Sequence, residues 1–272
     1  MINDTLRNIT QLTGAQLSGQ DHDFYGISTD TRTLAQGNLY VAIRGEQFDG
    51  HDFVGEAFKK GAAAALVDHA IDCEIPQIIV KDTLLALGNI TGHWRDQFNL
   101  PLIAVTGSNG KTTLKNMIAS ILRAACQHHS EQVLATEGNL NNNIGLPLNL
   151  ARLNDQHRYA VLEMGMNHFG EIDYLTHLAK PTIAVINNAA EAHLEGLGSV
   201  AGVAKAKGEI FSGLSENGIA ILNRDDAHFD YWRGLIGTHP SLSFSLETAA
   251  DVRGEFSENS PLIIHTPRGN IS

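Results

Sequence analysis

The stretch "PLIAVTGSNGKTTLKNM", residues 101–117, decides the fold. An apolar run, then two glycines, a lysine and paired threonines, then apolar residues at helical spacing predict a strand, a loop and a helix. The loop is Gly107, Ser108, Asn109, Gly110, Lys111, Thr112 and Thr113. Small residues there let successive backbone N–H groups turn inward around phosphate oxygens. Lys111 brings a positive charge to the β- and γ-phosphates, and the Thr112 hydroxyl suits Mg²⁺. The usual phosphate loop carries glycine five positions before Gly110; Val105 stands there instead, so the loop is a variant. The plainer alternative is a glycine turn capped by Thr112 with a solvated lysine. The position between an apolar strand and a helix favours phosphate binding.

Outward from this loop the chain alternates. "LIAVTG", "YAVLEMG", "TIAVINN" and "GIAILN" read as strands, with helices near 112–125, 171–179, 200–214 and 226–236. Continuous apolar runs, rather than strict alternation, predict strands covered on both faces, hence a mostly parallel, doubly wound sheet. Past Ser241, "SLSFSL", "DVRGEF" and "PLIIHTP" read as a small antiparallel sheet. The first ninety-nine residues read as a separate small α/β unit. It has a strand at 38–45, a helix at 51–62 with Phe53, Val54, Ala57 and Phe58 on one face, short strands "AALVD" and "QIIVKD", and a helix at 83–98 capped by Asp82 or Thr83. "NLP" at 99–101 marks the boundary, giving domains 1–99 and 100–272.

Ligands of open parallel sheets bind beyond the carboxyl ends of the strands. The second strand delivers Glu163 there, an acidic residue suited to Mg²⁺ or its water. The third delivers Asn187, Asn188 and then His193, a metal or phosphate ligand if it is not simply solvated. The fourth delivers Asn223, Asp225 and Asp226. For Asn223 the ordinary reading is a turn or helix cap, with adenine or ribose contact as the alternative. The polar loop "TEGNLNNNIG" (136–145) is either a turn or an amide-rich substrate contact. "AKAKGEIF" (204–211) places Lys205 and Lys207 near a helix start, where lysine opposes the helix dipole.

The formal charge of −11 argues against a nucleic-acid or membrane-surface binder, though local basic loops still suit an anionic small substrate. The two cysteines, Cys73 and Cys126, have no metal-ligand spacing and fit a reduced, cytoplasmic setting. No secretion signal and no apolar run of membrane-spanning length are read.

Taken together, "VTGSNGKTT", "TEGNLNNNIG", "LEMGMNHFGEI", "NNAAEAHLEGLGS" and "AKAKGEIF" resemble the Mur ligases of peptidoglycan synthesis. The front region agrees, since "STDTR" (28–32), "GNLYVAIRG" (37–45) and "FDGHDF" (48–53) resemble the family's uridine-nucleotide-binding domain. "EMGMN" and "AHLE" favour the branch that joins D-alanyl-D-alanine to UDP-N-acetylmuramoyl-tripeptide. Family members normally lack the first loop glycine, which accounts for Val105.

The resemblance implies an ATP-dependent amide bond formed through an acyl phosphate, with ATP and two Mg²⁺ ions. By family matching, Lys111, Glu163, His193 and Lys207 are catalytic. Gly107 to Thr113 and Asn223 bind ATP, and Thr112, Glu163 and His193 hold metal. Ser28, Arg32, Asp49, Gly50 and His51 contact the uridine nucleotide, and Asn142 and Asn143 lie near substrate or ATP phosphates. Lys207 aligns with a lysine that is carbamylated in related ligases. The family also carries a C-terminal domain of well over a hundred residues, so the chain is expected to be a truncated form with little turnover. The resemblance further implies a monomer in the cytoplasm, with no nucleic acid partner and no membrane insertion. Rival expectations are a lysine- or diaminopimelate-adding Mur enzyme, a folylpolyglutamate synthase, which the front region disfavours, or a non-catalytic nucleotide-binding fragment.

Overall fold

The computed structural model describes residues 1–127, 129–257 and 260–271. The chain divides into two compact units, Met1–Asn99 with Asn143–Gln156, and Leu100–Asn142 with His157–Ser272.

The first unit begins with β1 (Asn3–Thr5), α1 (Leu6–Thr13), β2 (Gln16–Ser18), β3 (Asp23–Tyr25), β4 (Ile27–Ser28) and β5 (Leu39–Val41). After a 3-10 turn come α2 (Val54–Lys59), β6 (Ala64–Val67), β7 (Gln77–Ile79) and α3 (Thr83–Asp96). The sheet order is β2-β7-β6-β5-β4, parallel except for the β2–β7 pair, and β1 with β3 forms a separate antiparallel ribbon. Side chains alternate faces along a strand. Leu39, Val41, Ala64 and Leu66 therefore pack on one side against Leu6, Ile9, Leu87 and Ile90. Tyr40, Ala65 and Val67 pack on the other against Val54 and Ala57. Both faces are covered, which is why the strands read as unbroken apolar runs.

Helix α3 starts where the Asp82 carboxylate accepts from the Leu84 and Leu85 amides, both at 2.9 Å. Helix α2 departs from expectation: Val54 and Ala57 are fully buried, while Phe53 and Phe58 are 37% and 41% exposed. The helix has only six residues, so its buried stripe is the single i, i+3 pair.

The second unit opens with β8 (Leu102–Thr106), α4 (Lys111–Ala125) and β9 (Val133–Ala135). The excursion 143–156, which contains α5 (Gly145–Leu150), belongs to the first unit. The second unit resumes with β10 (Tyr159–Glu163), α6 (Glu171–Ala179), β11 (Ile183–Ile186), α7 (Leu194–Leu197), α8 (Val200–Gly208), β12 (Ile219–Asn223) and α9 (Phe229–Leu235). It closes with β13 (Ser241–Ser245), β14 (Val252–Ser257), β15 (Ser260–Thr266) and β16 (Gly269–Ile271). The nine-stranded order is β16-β15-β14-β13-β12-β11-β8-β10-β9. The chain leaves β8 through α4 toward β9 on one side, and from β10 it crosses back over β8 through α6 to β11 and β12 on the other, so β8 is the switch strand. Glu163 pairs with Val105, and Val105 with Val185, in parallel register.

The expected small antiparallel sheet is present in β14–β16, but the expected antiparallel pairing of the β13 segment needs correction. The pairs β12–β13 and β13–β14 are parallel, and only β14–β15 and β15–β16 are antiparallel. Helix α9 carries the chain back between β12 and β13, and a strand–helix–strand crossover gives parallel strands. The short link to β14 suffices because the pairing is staggered: Phe244 and Ser245 at the end of β13 meet Val252 and Arg253 at the start of β14. The chain sidesteps and does not need to return.

The two tryptophans report separately on the units. Trp94 lies in α3, and its indole donates to the Leu153 carbonyl. Trp232 is fully buried in α9 and donates to the Ala204 carbonyl. In a Trp232→Phe background, Asp82→Ala is predicted to cost the first unit about 1 kcal/mol. The check is the urea midpoint of Trp94 fluorescence, which must fall relative to the Trp232→Phe parent.

Candidate functional site

Val105 is fully buried in mid-strand, so a glycine there would weaken the central strand of the sheet. The loop proper starts at Gly107, where an added Cβ would meet the Asn187 Cβ at 3.0 Å. It ends at Gly110, whose φ of +74° places it in the left-handed region before the first residue of α4. The end of β11 braces the loop. The Ser108 amide donates to the Asn188 carbonyl at 3.0 Å, and the Asn109 amide to the Asn188 Oδ1 at 2.9 Å. The Asn187 side chain donates to the Asn109 carbonyl at 2.9 Å. Ser108 Oγ exchanges hydrogen bonds with Ala190, so its hydroxyl holds the loop shape.

At the start of α4 the Lys111, Thr112 and Thr113 amides have no intrahelical acceptor and form the positive end of the helix dipole. Lys111 Nζ folds back over the loop onto the Gly107 carbonyl at 2.7 Å. Burial lowers its pKa, and the nearby Glu163 charge opposes that shift. Thr112 Oγ1 donates to Glu163 Oε2 at 2.8 Å, and Asn141 Nδ2 donates to Glu163 Oε1 at 2.7 Å. Glu163 is only 2% exposed at the tip of β10. Its amide donates to Thr136 Oγ1 at 2.9 Å.

His193 has φ +54°, a left-handed conformation uncommon outside glycine, just before α7. Its pKa is lowered by burial first and then by the positive charges of Lys207 and Lys111. Lys207 is 1% exposed, and among the described residues its Nζ has the Met166 sulfur, at 3.9 Å, as its hydrogen-bond partner. Burial, helped by Lys111, pulls its pKa down to about 7. Lys111 therefore lies within electrostatic reach of Glu163, His193 and Lys207, and His193 within reach of Lys207. His193 reaches this group through its field and, among the described residues, makes no hydrogen bond to Thr112 or Glu163. Lys205 and Lys207 lie in the last turn of α8, not near its start. The Ser199 side chain caps the helix at the other end by accepting from the Gly202 amide.

The donor set fits Mg²⁺. A carboxylate and a hydroxyl are hard oxygen ligands, and adjacent ligands of an octahedral Mg²⁺ lie about 2.9 Å apart. The Thr112–Glu163 separation of 2.8 Å is of that size. Asn223 donates to the Asn187 carbonyl at 2.9 Å and accepts from the Asp225 amide at 2.9 Å, bracing the β11 and β12 tips. Asn142 is exposed, and Asn143 falls in the other compact unit. Sequence reasoning passed over Asn141, Thr136 and the buried Lys115. Asn141 lay inside the recognised polar loop, but nothing in the motif singled it out from its neighbours.

In the first unit, Arg32 and Gly50 line a cleft of about 610 Å³ with Tyr40, Phe48, Phe53 and Glu56. Arg32 is exposed and forms a two-pronged pair with Asp30, with contacts of 2.7 and 3.0 Å. Ser28 Oγ is engaged in its own turn, donating to the Asp30 carbonyl at 2.9 Å. Asp49 and His51 lean on each other: His51 Nδ1 donates to Asp49, and His51 Nε2 accepts from the Asp68 amide at 3.0 Å. Arg44 bridges Asp49 and Asp68. Among the described residues, His51, Asp68 and His69 are the one trio of His or carboxylate groups close enough for a metal. Their donor atoms are already hydrogen-bonded to one another and to the backbone.

A buried lysine with its pKa lowered to about 7 opposes folding wherever it would be charged in the unfolded chain. That cost is full below pH 7 and is relieved as pH rises toward the unfolded value of 10.5. Lys207→Met is therefore predicted to raise the melting temperature by a few degrees at pH 6.5 and by less at pH 9.5. Calorimetry at the two pH values checks this.

Among the described residues no helix is long and apolar enough to cross a membrane. Residues 105–269 match the Mur ligase middle domain, and residues 23–95 match the Mur ligase family catalytic domain. The chain is 45% identical to UDP-N-acetylmuramoyl-tripeptide–D-alanyl-D-alanine ligase of Escherichia coli K12, over the whole chain and 60% of the relative. It superposes on the crystal structure of MurF from Acinetobacter baumannii with a TM-score of 0.92 at 36% identity, over the whole chain and 60% of that one. A MurF ligase from Thermotoga maritima in complex with ADP gives 0.79 at 28% identity, over 91% of this chain and 57% of that one. The chain spans about 60% of the length of the curated relatives it matches. With both family models matched in order and the loop, strand and sheet geometry in agreement, the chain belongs to the Mur ligase family.

Proposed function

We propose that the chain provides the ATP-binding and UDP-substrate-binding parts of a ligase that joins D-alanyl-D-alanine to UDP-N-acetylmuramoyl-tripeptide in the cytoplasm. The observation that carries this reading is the convergence of Lys111, Thr112 and Glu163 at the switch strand, in a chain 45% identical to a ligase of that name. In the reaction, a carboxylate oxygen of the tripeptide attacks the γ-phosphorus of ATP, and the bond to ADP breaks. The D-alanyl-D-alanine amine then attacks the acyl-phosphate carbonyl, inorganic phosphate leaves, and the amine gives up a proton.

Such chemistry asks the protein mainly to position reactants and to neutralise charge. Lys111 exchanges the Gly107 carbonyl for the β/γ-phosphate oxygens. The first amides of α4 point at the same phosphates. Thr112 and Glu163 would hold Mg²⁺, which when bound offsets the charge developing on the transferred phosphoryl group. His193, kept neutral by burial and by the neighbouring lysine charges, would offer an imidazole nitrogen to a second Mg²⁺. Lys207 is poised for carbamylation, because an amine with pKa about 7 is substantially neutral at physiological pH and free to attack CO₂. The nitrogen would give up a proton as the N–C bond forms, and the anionic carbamate would offer oxygen ligands to the second Mg²⁺. The cleft beside Arg32 suits a uridine nucleotide: Phe48 and Phe53 offer aromatic surface to a base, and Arg32 can exchange Asp30 for phosphate. Ser28, Asp49 and His51 brace that cleft, and Asn142 and Asn143 are assigned to substrate or ATP-phosphate contacts.

Calorimetric titration of the purified chain tests this. Lys111→Ala is expected to weaken Mg·ATP binding at least tenfold while leaving UDP binding within twofold. Glu163→Gln is expected to abolish the gain in ATP affinity that Mg²⁺ confers. Wild-type Mg·ATP affinity in Lys111→Ala would defeat the assignment of the loop. For the acceptor, phosphate release by a full-length ligase containing this chain, in the presence of the UDP-linked tripeptide, must depend on D-alanyl-D-alanine. Equal release with L-lysine or diaminopimelate would overturn that choice.

A further inference from the structure

Lys115 sits one helical turn beyond Lys111 on α4 and is 5% exposed. Its placement is unfavourable twice: an ammonium is taken out of water, and it lies near the positive end of a helix. Among the described residues no carboxylate pairs with it. Its Nζ instead donates to the Thr136 main-chain carbonyl at 2.9 Å.

Thr136 is the residue at which β9 gives way to the polar loop, and it is only 3% exposed. Its amide donates to the Val161 carbonyl of β10 at 3.0 Å. Its hydroxyl accepts from the Glu163 amide at 2.9 Å. Five residues on, Asn141 closes the loop on the same glutamate, through the 2.7 Å bond from its side chain to Glu163 Oε1. The Asn141 carbonyl accepts from the Gly165 amide at 2.9 Å, and the Asn141 side chain lies 3.0 Å from where a Gly165 Cβ would stand. Loop 136–141 is thus an arch with one foot on Lys115 and the other on Glu163. The helix that anchors the first foot also carries Thr112, which holds the opposite oxygen of the same carboxylate.

We infer that Lys115 is a positioning residue: its ammonium clamps loop 136–141 to the phosphate-loop helix and thereby fixes the Glu163 carboxylate against Thr112. Glu163 is then presented in one orientation, with its amide set by Thr136 and its two oxygens set by Asn141 and Thr112. The consequence for metal-dependent nucleotide binding rests on the ligase reading above. The clamp itself does not.

The test uses Lys115→Met, which keeps the length of the buried side chain and removes the ammonium, with Lys115→Arg as the conservative partner. Hydrogen exchange of the wild-type and variant chains is read at residues 136–142. Lys115→Met is expected to speed exchange there at least tenfold while β8 and the middle of α4 stay within twofold, and Lys115→Arg is expected to restore most of the protection. In parallel, the ratio of ADP affinity with Mg²⁺ to that in EDTA is expected to fall at least fivefold in Lys115→Met, with affinity in EDTA within twofold of wild type. A merely structural lysine would lower both affinities together and would loosen α4 as well.

Thr136→Val gives a second arm that leaves the Lys115–carbonyl bond in place and breaks the next link. It is expected to reduce the Mg²⁺ dependence without exposing residue 136, and it decides the matter if Lys115→Met fails to fold. Unchanged exchange at 136–142 in Lys115→Met, or an unchanged Mg²⁺ ratio in Thr136→Val, overturns the clamp. If the wild-type chain binds no Mg·nucleotide at all, the ligase reading fails, and the exchange arm still decides the role of Lys115.

Discussion

A single hydrogen bond, from the Thr112 hydroxyl to Glu163 at 2.8 Å, joins the two halves of the candidate site, and the topology of the sheet makes it possible. Strand β8 lies between β10 and β11 with all three parallel, so their carboxyl ends open on one edge. Residues 51 positions apart in sequence then meet without any long loop having to reach across the molecule. The asparagines of β11 complete the frame by holding the Ser108–Asn109 backbone, which leaves the first amides of α4 to face outward.

The electrostatics follow from the same packing. Lys111, Lys115 and Lys207 all lie at this edge, and none forms an ion pair with a carboxylate among the described residues. Lys111 rests on a loop carbonyl, Lys115 on the Thr136 carbonyl, and Lys207 against a methionine sulfur. Burying a cation without a counterion is costly, which is what lowers the pKa of Lys111 and Lys207, and sites that gather such groups are where ligand charge is awaited. The acidic surface implied by the net charge of −11 stands in contrast to this local excess of positive potential. The first unit handles its charges in the opposite way: Arg44, Asp49, His51 and Asp68 satisfy one another in a closed cluster, and Arg32 is held by Asp30 beside the open cleft.

Much of this was legible in the chain because strands buried on both faces announce themselves as apolar runs. The residues that end those runs, Gly107, Glu163 and Asn187, mark the site directly. The phosphate loop was visible for the same reason, since Gly110 and Lys111 have few other uses after such a strand. Less visible was anything set by packing between segments. The short strand β9 escaped notice because three residues carry no period. The parallel pairing of β13 with β14 depends on a stagger that no local pattern encodes. Phe53 and Phe58 are apolar yet half-exposed, since a six-residue helix buries only one pair. Asn141 was hidden among equivalent asparagines, and Lys115 looked like any lysine on a helix until burial distinguished it.

The most direct trial of the account is a crystal structure of the chain with Mg²⁺ and a non-hydrolysable ATP analogue. The account predicts that Lys111 Nζ leaves the Gly107 carbonyl for the β/γ-phosphates and that the ion lies between those phosphates and the Thr112–Glu163 pair. A nucleotide bound elsewhere, with Lys111 still on Gly107 and no ion beside Glu163, would contradict it.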